Sequence, residues 1–182
     1  MSKAELRSAM RSARKTYVAS LEEVGRWELE SALAAHLAPL VAAASIIGAY
    51  HPQGSEIDPR RALQAAPSIA FPSFTPGEPR FAFRAGDCSE IGPHGIPQPL
   101  CMVQPVTPDL VIVPLLAVDP AGHRLGQGGG HYDRVLPELR AAGARLIGVG
   151  WDLQRLPFAL AHEPWDVPLD GFACPSMLEL FR

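Results

Sequence analysis

The segment Asp109-Leu-Val-Ile-Val-Pro114 is short, apolar and rich in β-branched residues. A run of this kind that ends in proline predicts an interior strand of a parallel sheet. The chain then becomes glycine-rich, shows helical spacing over 134–142, and is strand-like again over 145–150. A strand, a loop, a helix and a second strand form a βαβ unit, and such units bind ligands at the carboxyl ends of their strands.

The loop of this unit contains Arg124-Leu-Gly-Gln-Gly-Gly-Gly-His-Tyr-Asp133. Glycines lack a Cβ atom, so their N–H groups can converge on one point and a ligand can approach the main chain closely. We expect a helix to begin here, and its N-terminal dipole would then favour an anion. Arg124 adds positive charge and Asp133 adds an oxygen ligand. The loop therefore predicts a phosphate and metal site, with a flexible hinge as the alternative. It matches neither a P-loop nor the dinucleotide fingerprint.

Length and composition limit the possible classes of protein. The 182 residues predict one domain over 1–182, and a net charge of −3 gives no reason to expect nucleic acid binding. Three cysteines without metal spacing indicate free thiols in a reducing compartment, with a catalytic cysteine as the alternative. The chain shows neither a secretory pattern nor an apolar run long enough to span a bilayer. We expect a cytoplasmic monomer that binds a small molecule and neither nucleic acid nor membrane.

Local signals along the chain predict alternating helices and strands. Capping boxes at Ser2 and Ser20 open helices that reach about Tyr17 and Leu37. A short helix is expected over 60–66, a loop or lid with short strands over 84–106, and a terminal helical turn over 177–181. Further strands are expected over 43–50, 68–71 (ending at Pro72), 80–84 and 171–174. This alternation predicts an α/β layered fold with a mostly parallel sheet.

The first predicted helix carries a row of cations, Lys3, Arg7, Arg11 and Arg14, at spacings that place them on one face. A solvated basic face is the usual interpretation of such a row. However, cations near a helix N-terminus oppose the helix dipole. We therefore predict that Lys3 and Arg7 reach an anion, whereas Arg11 and Arg14 are solvated.

Three acidic residues are candidates for ligand contacts. Glu56 lies in the loop that leaves the first strand, where its carboxylate can accept two N–H donors of a ligand or be simply solvated. His51, in the same loop, is more typical of a loop histidine than of a base. Asp133 and Asp166 can share a magnesium ion, although Asp166 alone is more typical of a turn.

The run Asp119-Pro-Ala-Gly-His-Arg-Leu-Gly-Gln-Gly-Gly-Gly-His-Tyr-Asp-Arg134 resembles the glycine block of the 5-formyltetrahydrofolate cyclo-ligase family. Lys3 with Arg7, Gly54-Ser-Glu-Ile-Asp58, and the segment from Gln154 to Asp170 add to the resemblance. The resemblance implies a three-layer α/β/α fold. It also implies an ATP- and Mg²⁺-dependent conversion of 5-formyltetrahydrofolate to 5,10-methenyltetrahydrofolate, with release of ADP and phosphate.

The resemblance also implies roles for individual residues. Lys3 and Arg7 would contact ATP phosphates, Asp133 and Asp166 would hold Mg²⁺, and His51 and Glu56 would bind the folate. The nucleotide loop would consist of Arg124, Leu125, Gly126, Gln127, Gly128, Gly129, Gly130, His131 and Tyr132, of which we assign catalysis to Arg124 and Tyr132. Three departures from the family pattern concern the folate side more than the nucleotide side. His131 replaces a tyrosine or phenylalanine, Gln98 replaces the acidic residue before a proline, and the segment from Pro114 to Val118 lacks the usual glycine and phenylalanine.

Phosphoryl transfer to the formyl oxygen would give an imidate phosphate, which the neighbouring amine nitrogen then attacks. This chemistry needs positioning and charge neutralisation more than an acid–base pair, in agreement with the residue types. Two alternatives remain at this point. One is a sugar-phosphate isomerase-like enzyme that acts without ATP, and the other is a non-catalytic regulatory module that binds folate, a nucleotide or RNA.

Overall fold

The computed structural model describes residues 2–181 of the protein. The helices are α1 (Lys3–Ala19), α2 (Glu23–Ala43) and α3 (Leu136–Ala141), with short 3₁₀ helices at Arg60–Ala65, Pro93–Gly95 and Asp152–Gln154. The strands are β1 (Ile47–Gly48), β2 (Ile69–Phe74), β3 (Phe81–Ala85), β4 (Glu90–Ile91), β5 (Pro97–Gln98), β6 (Leu110–Pro114), β7 (Ala117–Val118), β8 (Arg124–Leu125), β9 (Arg145–Val149), β10 (Gly171–Cys174) and β11 (Met177–Leu180). No helix within the described range is long and apolar enough to cross a membrane.

Seven strands form the central sheet, in the order β11-β10-β9-β6-β1-β2-β3. The five inner strands are parallel, and the edge strands β3 and β11 are antiparallel to their neighbours. β6 pairs with β9 along its whole length, from Leu110 opposite Arg145 to Pro114 opposite Val149. The predicted interior strand and the mostly parallel sheet are therefore confirmed.

The sheet is covered on both faces, which confirms the three-layer α/β/α fold. Alternate residues of β6 enter different clusters, because successive side chains of a strand point to opposite faces. Leu110 and Ile112 pack in the cluster that contains Leu33 and Leu37 of α2. On the other face, Val111 and Val113 belong to the cluster of Leu136 and Leu139 from α3.

α1 packs against the segments that follow β6, where Leu6 and Met10 share a cluster with Leu116 and Leu125. Its other end contacts the sheet side through Tyr17, whose ring centroid lies 5.6 Å from that of Trp151. The helix is therefore held near the carboxyl ends of the parallel strands, which is the ligand-binding side of such a sheet.

The buried carboxylate of Asp119 holds together the hairpin of β7 and β8. It accepts hydrogen bonds of 2.9 Å from the backbone N–H groups of Ala121, His123 and Leu160. Burial alone would raise the pKa of Asp119, but these hydrogen bonds outweigh it and the pKa lies below its ordinary value. Asp119 thus joins the start of the glycine loop to the segment that leads to Asp166.

The predicted capping box at Ser20 is wrong. Glu22 is the N-cap of α2 and makes no side-chain capping bond, whereas the Ser20 hydroxyl donates to the carbonyl of Tyr17 at 2.6 Å. Ser20 therefore ends α1, because the last carbonyl groups of a helix need donors as much as the first N–H groups need acceptors.

Two elements extend beyond their predicted ends, which were near Leu37 for α2 and at Pro72 for β2. α2 continues past Pro39 to Ala43, because Pro39 is exposed while Leu37 and Val41 on the inner face are buried. β2 continues past Pro72 to Phe74. Proline has no backbone N–H, but the ladder between β1 and β2 already stops at Ala70, so Pro72 breaks no hydrogen bond of that ladder.

Two predicted helical features are also wrong. Met177–Leu180 is an edge strand antiparallel to β10 rather than a helical turn, because a two-residue turn lets its backbone pair with a neighbour. α3 begins at Leu136, after a turn, so no helix N-terminus lies at the glycine loop. The short hairpin of β4 and β5 confirms the prediction of a loop with short strands over 84–106.

We expect Asp119→Asn to lower the free energy of unfolding by about 3 kcal/mol at neutral pH, because an amide replaces a charged acceptor of several N–H groups. Urea denaturation at several pH values measures this loss. Since the pKa of folded Asp119 is depressed, its contribution is complete above the unfolded pKa and is lost as the pH falls below about 4. The exposed Asp87→Asn is the control, and an equal loss in both variants would contradict the prediction.

Candidate active site

A cleft of about 520 Å³ opens at the carboxyl ends of β1, β2 and β6. Its lining includes every site residue predicted from the sequence, namely Lys3, Arg7, His51, Glu56, Arg124, Leu125, Gly126, Gln127, Gly128, Gly129, Gly130, His131, Tyr132, Asp133 and Asp166. These residues come from four segments that are distant in sequence. The fold therefore brings the predicted nucleotide, metal and folate residues to one cavity.

The glycine loop is docked on the cationic face of α1. Arg7 Nε donates to the carbonyl of Gly126 at 3.1 Å, and Arg11 donates to the side-chain oxygen of Gln127 at 2.9 Å and to its backbone carbonyl at 2.7 Å. Arg11 is exposed but bound, so the prediction that it is simply solvated is wrong. Gly128 adopts a φ of +105°, which side chains with a Cβ atom rarely adopt.

Arg124 and Tyr132 carry polar atoms that are buried in the cleft wall without partners among residues 2–181. The Arg124 side chain is 8% exposed and pairs with Asp133 through Nη2, but its Nε has no hydrogen bond. The Tyr132 Oη is likewise unpaired. Buried donors without partners are costly. Because both residues line the cleft, a small side-chain movement that exposes these atoms to a ligand would let them form the missing hydrogen bonds.

The phenol of Tyr132 stays protonated at neutral pH. Burial raises its pKa well above the ordinary value, the nearby carboxylate of Glu56 raises it further, and Arg124 opposes the change. The guanidinium of Arg124 lies 5.9 Å from the centroid of the Tyr132 ring. Tyr132 can therefore act as a hydrogen-bond donor but not as a base.

Glu56 is 9% exposed and connects three segments. Its carboxylate accepts from Gln53 N at 2.9 Å and from Gln127 Nε2 at 3.3 Å, and it lies 3.8 Å from Arg14. The prediction that Arg14 is solvated is wrong, because it is 5% exposed and donates to Ser55 Oγ and the carbonyl of Leu115. Burial lowers the pKa of Arg14, while the Glu56 carboxylate opposes that change.

Two histidines, His51 and His131, line the cleft, and their lowered pKa values favour the neutral form at neutral pH. The His51 ring stacks on Phe71 at 4.3 Å, its Nε2 lies 3.2 Å from Cys88 Sγ, and burial lowers its pKa. The His131 ring meets Phe74 edge-on at 5.2 Å, and its Nδ1 is buried without a partner among the described residues. The pKa of His131 is lowered by burial and by the nearby positive charge of Arg134.

The two candidate metal ligands each face a cation. Asp133, with a side chain 56% exposed, pairs with Arg124, and Asp166 lies 3.8 Å from Lys3 Nζ. Within residues 2–181 no group of three or more histidine, cysteine, aspartate or glutamate residues is placed to hold a metal ion. Both carboxylates are thus paired with cations, and a divalent ion could reach them only by displacing Lys3 and Arg124.

One side of the cleft was not predicted from the sequence. We call it the apolar wall, and it consists of Phe74, Phe81, Pro93, Ile96 and Pro97. Phe74 is the last residue of the parallel strand β2. Because ligands bind at the carboxyl ends of such strands, its position along the sequence could have identified it as a cleft residue. The other members come from β3 and from the predicted loop or lid, whose sequence carries no periodic pattern.

Known proteins resemble this chain in sequence and in fold. Residues 1–175 match the model of the 5-formyltetrahydrofolate cyclo-ligase family. The 5-formyltetrahydrofolate cyclo-ligase of Escherichia coli is 43% identical over 68 residues, 37% of each chain. That of Haemophilus influenzae is 40% identical over 79 residues, 41% of this chain and 42% of the relative. The aligned part thus spans less than half the length of these relatives.

The fold has a close counterpart among solved structures. The NMR structure of Aquifex aeolicus 5,10-methenyltetrahydrofolate synthetase superposes with a TM-score of 0.82 at 24% identity. The superposition covers 100% of this chain and 94% of the other. This likeness concerns the fold alone, whereas the family assignment rests on the sequence match over nearly the whole chain. On that match, the chain belongs to the 5-formyltetrahydrofolate cyclo-ligase family.

Proposed function

We propose that the protein cyclises 5-formyltetrahydrofolate to 5,10-methenyltetrahydrofolate and converts ATP to ADP and phosphate. Membership of the family supports this activity. The observation that carries it is the cleft, where the glycine loop and the unpaired atoms of Arg124 and Tyr132 lie in the same cavity as the apolar wall. Such a cavity suits a triphosphate together with an aromatic substrate.

The nucleotide is assigned to the side formed by α1 and the glycine loop. Arg7 holds the Gly126 carbonyl, so the loop is docked before a ligand arrives. Lys3, Arg7 and Arg124 supply positive charge, and glycines 126 and 128–130 allow phosphates to approach the backbone. Preorganised donors of this kind stabilise the charge that develops during phosphoryl transfer.

We assign Asp133 and Asp166 to a Mg²⁺ ion that neutralises phosphate charge during the transfer. Both carboxylates line the cleft close to the cations Arg124 and Lys3. The cations hold the carboxylates on the phosphate side. On binding of the nucleotide, Arg124 and Lys3 can exchange these carboxylates for phosphate oxygens.

The folate is assigned to the opposite side of the cleft. The Glu56 carboxylate, fixed by Gln53 N and Gln127 Nε2, can accept N–H groups of the substrate. The neutral His51 ring adds an aromatic surface that its stacking on Phe71 holds in place. The apolar wall contacts the aromatic part of the substrate.

The reaction has two steps. The formyl oxygen takes the terminal phosphoryl group, so an O–P bond forms, the bond to ADP breaks, and an imidate phosphate results. The neighbouring amine nitrogen then bonds to the formyl carbon and loses its proton, and the C–O bond breaks to release phosphate. Arg124 and Tyr132 donate hydrogen bonds to the oxygens on which negative charge develops.

We also infer that the protein acts as a monomeric domain in the cytoplasm and needs neither nucleic acid nor membrane. The free thiols of Cys88, Cys101 and Cys174 support a reducing compartment.

Purified protein should form the methenyl product, detected by its absorbance, when 5-formyltetrahydrofolate and MgATP are both present. ADP should appear in equal amount, because each turnover consumes one phosphoryl group. Reactions without ATP or without folate are the controls. Product formation without ATP would refute the proposed reaction, and so would the absence of product.

Arg124→Ala should lower turnover by about two orders of magnitude, as the loss of one preorganised donor does in other enzymes. The reason is that Arg124 Nε is buried in the cleft without a protein partner. Steady-state kcat values measure the effect. The exposed Arg145→Ala, outside the cleft, is the matched control, and near-normal turnover of Arg124→Ala would refute the catalytic role.

Asp133→Asn and Asp166→Asn should each raise the Mg²⁺ concentration needed for half-maximal activity by about tenfold, because a neutral amide oxygen binds Mg²⁺ more weakly than a carboxylate. Titration of activity with Mg²⁺ at saturating ATP measures this shift. The exposed Asp87→Asn serves as the control. Unchanged Mg²⁺ titrations in both variants would exclude these residues as metal ligands.

A further inference from the structure

The side-chain amide of Gln98 forms hydrogen bonds with both backbone groups of Phe74. Phe74 N donates to Gln98 Oε1 at 3.0 Å, and Gln98 Nε2 donates to the Phe74 carbonyl at 3.2 Å. Nε2 also lies 3.4 Å from Glu90 Oε2. Gln98 is 5% exposed, so the amide takes the place that a neighbouring strand would occupy beside the end of β2.

Gly92 makes room for this amide. A Cβ atom at position 92 would lie 2.2 Å from Gln98 Oε1 and 2.7 Å from its carboxamide carbon. The φ of Gly92 is −84°, which every residue adopts. Gly92 is therefore required for the space that it leaves and not for its backbone conformation.

The amide joins two parts of the folate side of the cleft. Phe74 ends β2, and its ring contacts His131 at 5.2 Å and Phe81 at 5.7 Å. Pro97 and Gln98 belong to β5, whose hairpin encloses the turn that carries Pro93 and Ile96. If the amide moved, Phe74 would lose both of its hydrogen bonds to the hairpin, and the bond from Ser73 Oγ to the Pro99 carbonyl, 2.9 Å long, would remain beside it. The Phe74 ring would then be held less firmly, and the apolar wall would change its shape.

We propose that Gln98 is a positioning residue for the folate substrate, because its amide locks Phe74 to the hairpin of β4 and β5 and so preforms the apolar wall. The inference rests on the proposed function and deepens it. Gln98 acts through Phe74, whose ring contacts the substrate. The amide bonds to Phe74 and Glu90 and to no residue of α1 or of the glycine loop, so its loss should affect folate binding rather than nucleotide binding.

In this chain the backbone of Phe74 presents a donor and an acceptor to position 98, so a group that both donates and accepts fits there, although the family usually has an acidic residue at this position. A carboxylate at position 98 would accept from Phe74 N, but it would face the Phe74 carbonyl and Glu90 with lone pairs only. A protonated carboxyl group would restore both bonds. Other titratable or charged groups nearby are His94 from the turn, His131 against the Phe74 ring, and Arg84, which donates to Thr75. Wild type must therefore be measured at each pH as the reference.

The test compares wild type with Gln98→Met and Gln98→Glu from about pH 5.5 to 8.5, a range that brackets the raised pKa of a buried glutamate. Relative to wild type, Gln98→Met should raise the KM for 5-formyltetrahydrofolate about tenfold at every pH, since both bonds are lost. Gln98→Glu should match wild type at the acidic end and approach Gln98→Met as the pH rises. The KM for ATP should not change in either variant.

Gly92→Ala provides a second test, because it displaces the amide without changing it. It should also raise the folate KM and leave the ATP KM unchanged, whereas Gly25→Ala, where a Cβ atom meets nothing within 4 Å, should change neither. Thermal unfolding identifies any variant that does not fold. The remaining variants then decide whether Gln98 positions the apolar wall. A folate KM within about twofold of wild type in Gln98→Met and Gly92→Ala would overturn the proposal. Equal changes in the KM values for folate and for ATP would also overturn it. So would a ratio of the Gln98→Glu folate KM to the wild-type folate KM that does not change with pH.

The two proposals can fail separately. A wild-type protein without ATP-dependent product formation would refute the proposed function. The dissociation constant of 5-formyltetrahydrofolate for the same variants, from equilibrium dialysis, would then decide the role of Gln98. An active wild type with unchanged variants would refute only the role of Gln98.

Discussion

The arginines of α1 bind the carbonyl oxygens of the glycine loop, and the site depends on this interaction. Arg7 binds the Gly126 carbonyl and Arg11 binds that of Gln127. A loop of this composition is flexible by itself, because glycine backbones have the most conformations to lose. Two charge-assisted hydrogen bonds from a rigid helix offset that entropy and turn the carbonyl groups toward α1, so that the loop is held in place beside the cleft.

The cleft combines buried charges with polar atoms that lack hydrogen-bond partners, as functional sites often do. Arg14 and Glu56 are both buried, and each compensates the cost of burying the other. Arg124 and Tyr132 keep one polar atom each without a partner in the part of the chain that the structure describes. A ligand that supplied those partners would recover the cost of their desolvation, which is energy available for binding or for the transition state.

Prediction from the sequence succeeded where a local pattern was compatible with only one kind of structural element. The β-branched run of β6 had to be an interior strand, and the glycine block had to be a loop beside it. It failed at Ser20, which caps the end of α1 rather than the start of α2, and at Pro72, which lies outside the ladder with β1 and does not end β2. It also placed the end of α2 near Leu37, whereas the packing of Leu37 and Val41 continues the helix to Ala43. Arg14 was misjudged for a related reason, since helical spacing gives the face of a residue but not what covers it.

The sequence by itself determined the order of the elements up to β10, the mostly parallel sheet, and the segments that carry the predicted site residues, because hydrophobic periodicity and glycine content act over a few residues. Only the tertiary structure decided which polar groups meet. Glu56 beside Arg14 and Gln127, and Gln98 against the backbone of Phe74, are pairs from segments distant in the chain. Their distances follow from how the sheet brings loops together, and no local propensity encodes that arrangement.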